Sequence, residues 1–335
     1  MMESREQIRR IIKEIEIEEK GRRKVCQEIR KRIREKNFEE KWSLADKCII
    51  KKMKPAELSN KSIAGVDGGI ILRRIGEIDL AIVRVSCVVF RYGSSGKLES
   101  VIYYPSRNPS TRFHWWKSSS TREAQVRASL RRQLEELSVA RDFLDVAGED
   151  VDYLLMDGSL LPQEDGRSTE EYRELMNVLS ETISLSKKRG VELVGVVEDS
   201  KSRSFTKMLS EMFPEFKDVL SSSFDVFLLN WLLKKGERTG SFYFREEMGV
   251  KGMYLKPVED DLPLRVEFLG DPDQISSTIY SLSSVHKSYA YPSVLIEADK
   301  MAKLSEDEGK TIYYEVMRMG GERLIPRRER RPFQW

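Results

Sequence analysis

Two apolar runs of the chain end on the same pair of residues: Val66-Asp67-Gly68-Gly69 and Met156-Asp157-Gly158-Ser159. An aspartate that closes a buried strand and is followed by glycine holds a carboxylate at a sheet edge with an open approach. Taken singly, each is also the ordinary composition of a turn. If the two strands run parallel and adjacent, the carboxylates stand within a few ångströms. Like charges that close are costly unless a cation lies between them. An all-oxygen ligand set suits Mg²⁺ or Mn²⁺. Two such ions about 3.5–4 Å apart clamp a scissile phosphate, one activating water and the other steadying the leaving oxygen. Phosphodiester hydrolysis is the chemistry this pattern suits.

A second stretch, Thr111-Arg112-Phe113-His114-Trp115-Trp116-Lys117, sets two tryptophans among basic residues. Bases stack on aromatic rings for about 1–3 kcal/mol each while Arg and Lys follow the phosphates. Arg112, Trp115, Trp116 and Lys117 are therefore candidate DNA contacts, with the alternative that one tryptophan anchors the segment to the core. The charge distribution points the same way. The net charge is only +3. Residues 1–55 hold 18 Lys/Arg against 11 Asp/Glu, residues 105–132 hold seven against one, and residues 321–335 hold five against two. The rest of the chain is therefore acidic, and the basic segments suit a polyanionic partner better than the total suggests.

The 335 residues, 40% apolar and 34% charged, describe a globular chain with a real core and a very polar surface. No apolar run approaches the roughly 20 residues that span a bilayer. Charge begins at the third residue, unlike a signal peptide, so a cytoplasmic protein without membrane contact is expected. Three scattered cysteines (Cys26, Cys48, Cys87) form no disulfide framework, and with two histidines they argue against a finger-type zinc site.

The elements that must position these residues follow from periodicity. Residues 4–37 read as a helix. Residues 62–67, 79–90 and 98–104 read as three strands of an antiparallel meander, with a short first strand ending at Asp67. Residues 105–120 read as a loop. Ser120 or Thr121 caps a long helix to about residue 146. Residues 152–156 form a fourth strand. Ser168 or Thr169 caps a helix to about residue 189, with Gly190 at its end, and residues 191–197 form a fifth strand. Later segments read as a buried helix (224–233), strands (241–245, 253–256, 264–269) and helices (271–286, 293–303). The fold class is α/β: a ribonuclease H-like mixed sheet of order β-β-β-α-β-α-β flanked by helices. In that fold strands one and four are parallel neighbours and the active site lies at their carboxyl ends. The expected division is an N-terminal helical extension (1–55), one large domain (56–320) and a basic tail (321–335).

With these residues in place, the chain resembles the NurA family of nucleases from about residue 60 to about 305. The resemblance rests on Asp67-Gly68-Gly69, on Asp157-Gly158-Ser159-Leu160 and on Tyr291-Pro292 before a closing helix. It implies a ribonuclease H-like, Mn²⁺-dependent (or Mg²⁺-dependent) deoxyribonuclease holding two ions. It further implies a homodimer that acts as an exonuclease on DNA ends, single-stranded ends in particular, and as a single-strand endonuclease, with a HerA-type hexameric ATPase in end resection and double-strand break repair. By the same resemblance Asp67 and Asp157 are metal ligands, joined by a glutamate of the preceding helix: Glu136, or Glu135 as the alternative. Lys201 follows the fifth strand, where it would neutralise charge on the phosphate, and Tyr291 would contact DNA. The family's histidine after Tyr-Pro is replaced here by Asp299, which keeps a ligating oxygen and alters the expected geometry of the second ion. Two rival readings remain: a non-catalytic DNA-end or HerA-binding homologue, and an actin- or hexokinase-like phosphotransferase.

Overall fold

The computed structural model describes residues 2–35, 46 and 48–320; the basic tail expected at 321–335 lies outside the described residues. In chain order the elements are α1 (Met2–Glu35), β1 (Ile50–Lys52), β2 (Ser62–Ile75), β3 (Ile78–Tyr92), β4 (Leu98–Tyr104), β5 (Thr111–Trp116), α2 (Thr121–Ala147), β6 (Tyr153–Asp157), α3 (Glu170–Arg189), β7 (Glu192–Val197), α4 (Ser204–Met212), α5 (Lys217–Ser222), α6 (Asp225–Leu232), β8 (Glu237–Thr239), β9 (Phe242–Arg245), β10 (Val250–Lys256), β11 (Leu264–Phe268), α7 (Pro272–Ser283), α8 (Ser293–Ala302) and α9 (Glu306–Gly320). Their described residues pack as two compact units, one drawn from residues 58–195 with 293–335, the other from residues 1–57 with 196–292. No helix among the described residues is long and apolar enough to cross a membrane.

The unit of residues 58–195 and 293–335 is built on β2 and β3, whose β-branched runs leave Ile63, Val66, Ile82, Val83 and Val88 almost fully buried. The two strands form a long antiparallel hairpin from Ser62↔Arg91 to Ile75↔Ile78. β4 adds to β3 in the antiparallel sense, and β6 lies parallel to β2 on its other side, with β7 next to β6. Three meander strands, a helix, a strand parallel to the first, a helix and a further strand make the β-β-β-α-β-α-β order of the ribonuclease H-like fold. Two features differ from the sequence expectation. β2 does not end at Asp67 but runs on through Gly68-Gly69 to Ile75. The segment read as a loop contains β5, which pairs with β3 from Arg84↔Thr111 to Asp79↔Trp116.

Helix ends in this unit follow their capping chemistry. The Ser120 hydroxyl accepts the Glu123 amide, and the Glu123 carboxylate accepts the Ser119 amide at 2.8 Å. Thr169 accepts the Tyr172 amide, and Gly190, at φ 70°, closes α3 after Lys187, Lys188 and Arg189.

In the other unit β1, β8, β10 and β11 form antiparallel pairs in that order, and β9 pairs with β10. Its core gathers Val25, Cys26 and Ile29 of α1 with Phe205, Leu209, Leu228, Leu229 and Tyr254. The buried Asp225 carboxylate accepts the Phe205 and Thr206 amides and the Tyr254 hydroxyl. It thereby satisfies donors that α4 would otherwise leave unpaired.

Candidate active site

The parallel register decides where the two aspartates stand. β2 and β6 pair from Ile63↔Tyr153 to Val66↔Met156, so the next residues, Asp67 and Asp157, are adjacent and share a sheet face. Beyond this point β6 ends while β2 continues, which leaves the β2 edge uncovered beside Asp67. Gly158 turns the chain away with φ 96°, a conformation that glycine adopts at no steric cost. The turn is held from above by α2, where the Gln133 side-chain amide donates to the Ser159 carbonyl at 2.6 Å.

The third carboxylate arrives from α2. Glu136 is 1% exposed and its Oε1 lies only 2.6 Å from where a Cβ on Gly68 would stand. The side chain that Gly68 lacks is the room the Glu136 carboxylate uses, and a Cβ there would make the carboxylate shift. Arg132, one helical turn earlier on α2, hydrogen-bonds Glu136, lies 4.0 Å from Asp67 Oδ1 and donates weakly to the Gly68 carbonyl at 3.4 Å. One guanidinium thus serves a cluster of three acids.

The electrostatics reflect that crowding. Asp67 is pushed up from 3.8 to about 9, first by burial and then by the charges of Asp157 and Glu136, and it is hydrogen-bonded to Asp157 carboxyl to carboxyl. Such a bond needs a shared proton. Glu136 is pushed up to about 7 by burial, against which Arg132 pulls it down. Arg132 is held above its ordinary value, foremost by Glu136. Among the described residues no three His, Cys, Asp or Glu side chains are already drawn in around one point as metal ligands are. Arg132 is the cation placed among these acids, bonded to Glu136 and 4.0 Å from Asp67. The donor set is nevertheless all oxygen, buried and short of positive charge, which fits a hard divalent cation. Asp67, Asp157 and Glu136 are the residues that would hold it.

Gly68→Ala tests this arrangement. The added methyl drives the Glu136 carboxylate out of its place, so Mn²⁺ affinity measured by calorimetry is expected to fall at least tenfold while the circular dichroism spectrum stays native. An unchanged affinity removes Glu136 from the site.

The remaining sequence candidates fall in several places. Glu135 faces away from the cluster: it accepts from Arg112 and lies 2.9 Å from His114 Nε2, with its acidity increased by both. It ties β5 to α2, so the structure does not bring the alternative ligand into the cluster. Asp299 is exposed on α8, the helix that packs over Gly65 and Gly69 on either side of Asp67. The paired tryptophans split because strand residues alternate. Trp115 is 69% exposed, whereas Trp116 is buried with Arg127 over its ring at 5.4 Å. Trp116 is thus an anchor, correcting its reading as a DNA contact. Lys117 reaches Glu77 at 3.3 Å, and Arg112 is committed to Glu135. Tyr291 is buried too, its hydroxyl donating to the Val196 carbonyl at 3.2 Å in the other unit, so it packs protein rather than stacking on a base. Lys201 is exposed in that same unit. Arg132 was not singled out from sequence. The available signal was its i,i+4 spacing to Glu136.

These positions can be set beside known proteins. A model of the NurA domain matches residues 61–304. No curated protein matches the chain. Among solved structures, the chain is similar to the crystal structure of the NurA nuclease from Sulfolobus solfataricus. The identity is 16% and the TM-score 0.63, covering 95% of this chain and 96% of that one. It is also similar to a structure of NurA bound to dAMP and manganese, at 12% identity and TM-score 0.54, covering 94% and 97%. A further match is NurA with manganese, at 13% identity and TM-score 0.50, covering 95% and 99%. At such identities the structures speak to the fold. The family model spans most of the sequence, and its limits enclose β2, α2, β6 and α8, so the chain belongs to the NurA family of nucleases.

Proposed function

We propose that the chain is a divalent-metal-dependent deoxyribonuclease that digests DNA from its ends, with single-stranded DNA as the strand engaged. The observation that carries the reading is the convergence of Asp67, Asp157 and Glu136 at the open edge of β2 with too little positive charge to balance them. A divalent cation held there supplies Lewis-acid polarisation of the phosphoryl group and a water acidic enough to react near neutrality. The chain's own residues hold the acids in register, keep Glu136 in the space over Gly68 and fix the turn after Asp157. A similar structure holding dAMP and manganese supports Mn²⁺ and a DNA-derived ligand. Two ions are part of the proposal: Asp67, Asp157 and Glu136 would hold them, with Asp299 of α8 as the further acid the sequence offers. Action with a HerA-type hexameric ATPase, as a homodimer, in DNA end resection and double-strand break repair is part of the same proposal and rests on the family resemblance.

The test is a nuclease assay on end-labelled single- and double-stranded DNA with Mn²⁺ and with Mg²⁺. Single-stranded DNA is expected to be degraded with Mn²⁺ and spared when EDTA is present. Intact substrate alongside a cut positive control would overturn the proposal.

A further inference from the structure

The sheet face that carries Asp67 also carries a basic cleft that the chemistry above does not use. On the β2–β3 ladder Asp67 pairs with Ser86 and Gly69 with Arg84. Arg84 is therefore one diagonal step from Asp67 on the same face, about 7–8 Å between Cα atoms. It opens a cleft of about 370 Å³ lined by Arg84, Arg107, Asn108, Lys300, Lys303 and Glu308.

These cations differ in how they are committed. Arg84 is fixed on three sides: it donates to the Lys303 carbonyl at 3.0 Å, to the Thr111 hydroxyl at 3.3 Å and to Glu308 at 2.8 Å. Glu308 is itself locked by reciprocal hydrogen bonds with Ser305 at the start of α9. Arg84 thus forms a rigid floor joining β3, β5 and the α8–α9 corner. The other three bases are held loosely. Arg107 stacks on Tyr103 at 5.6 Å, and Lys300 lies 3.5 Å from Glu297. Lys303 has no side-chain ion pair among the described residues. Three exposed cations around one buttressed wall, beside an acid cluster that repels polyanions, make a place for an anion.

Two features favour a phosphodiester backbone over a free anion. First, Arg84 and Asp67 share one sheet face, and Lys300 and Lys303 stand at the end of α8, the helix packed beside Asp67. The cleft therefore lies on the side of the sheet toward which a strand with its reacting phosphate at Asp67 would continue. Second, the same face continues outward along β5. Arg84 pairs with Thr111, Ile82 with Phe113 and Leu80 with Trp115, and both aromatics are exposed, at 54% and 69%. Phosphate-sized positive charge followed by exposed rings is the arrangement single strands use.

We propose that the Arg107–Lys300–Lys303 cleft is a subsite for a backbone phosphate flanking the one that is cut, and that Phe113 and Trp115 receive the bases beyond it. This rests on the nuclease reading, and the test separates the two. The probes are oligo(dT), and bis(p-nitrophenyl) phosphate, a diester with no second phosphate. The double variant Lys300→Gln/Lys303→Gln is compared with wild type and with Lys187→Gln on α3. Expected for the double variant are five- to tenfold weaker oligo(dT) binding in EDTA and a salt slope smaller by about 0.7 per lost phosphate contact. KM on oligo(dT) rises while Mn²⁺-dependent cleavage of the small diester is retained. Lys187→Gln leaves all of these unchanged. Equal binding and slope in the double variant overturn the subsite, as does an equal loss on the small diester, which would place the lysines at the reaction itself. Failure of wild type to cut oligo(dT) overturns the nuclease reading instead.

Discussion

Asp67→Asn is expected to abolish nuclease activity and, at the same time, to stabilise the metal-free protein. The loss should exceed the roughly 10–100-fold that removal of an outer partner of a metal site costs, because Asp67 stands at the centre of the cluster. The stability gain follows from linkage. Folding pushes the Asp67 carboxyl up from 3.8 to about 9, so the native state binds its proton more tightly than the unfolded chain does. That contribution is fully present below about pH 3.8 and is lost as pH rises through about 9. Metal-free wild type therefore weakens across this window, and Asn, which keeps the shape and cannot ionise, weakens less. Thermal melts in EDTA from pH 5 to pH 9 measure it: the variant's advantage should grow with pH. Added Mn²⁺ reverses the order, since the metal takes the deprotonated acids and its stabilisation of wild type rises with pH. Parallel melting curves for the two proteins would dismiss Asp67 as the strained group.

Arg132→Met is expected to weaken the metal-free fold and tighten metal binding. The guanidinium is the cation that Glu136 and Asp67 now share. Removing one partner of a buried ion pair costs about 3–5 kcal/mol. Some solvent access to the guanidinium should hold the cost near the lower end, roughly 3 kcal/mol. Mn²⁺ must displace Arg132 from the acids of wild type and meets no such competitor in the variant. Its dissociation constant by calorimetry should fall, and its effect on the melting temperature should exceed that in wild type. Arg132→Lys, which keeps a point charge without the planar fork, should lie between the two. A variant that melts like wild type and binds Mn²⁺ with the same affinity would show that the guanidinium does not occupy the metal's place.

Much of this site was legible because its determinants are local. An apolar run that closes on Asp-Gly announces a strand-end carboxylate, and the order of strands and helices makes β2 and β6 parallel neighbours. Ser120, Thr169 and Gly190 mark helix ends by chemistry that needs no tertiary context. The misreadings have tertiary causes. Gly68-Gly69 looks like a turn, yet here α2 takes the space beside Gly68 and the end of α8 the space beside Gly69, which no window of the sequence contains. β5 reads as a loop because its alternation mixes Arg, His and aromatics. It becomes a strand only when β3 offers it a partner and Glu135 ties down Arg112 and His114. Neighbouring residues on α2 diverge for the same reason: Glu136 meets the sheet edge and Glu135 meets β5. Tyr291 sits in a motif that suggests contact with substrate, while its hydroxyl satisfies a buried carbonyl.

The continuation of β2 past Asp67 sets the mechanical character of the centre. An acid at the tip of a strand would share the fraying of that tip. Asp67 instead lies mid-ladder, bonded into a hairpin that extends eight residues further to Ile75. Its backbone cannot open without breaking cross-strand pairs on both sides, so its local opening free energy approaches that of the whole unit. The softer parts of the centre are peripheral: the turn at Gly158 and the Arg132 side chain. A centre made this way can exchange protons, guanidinium and metal ions among its oxygens while the frame that spaces those oxygens stays still.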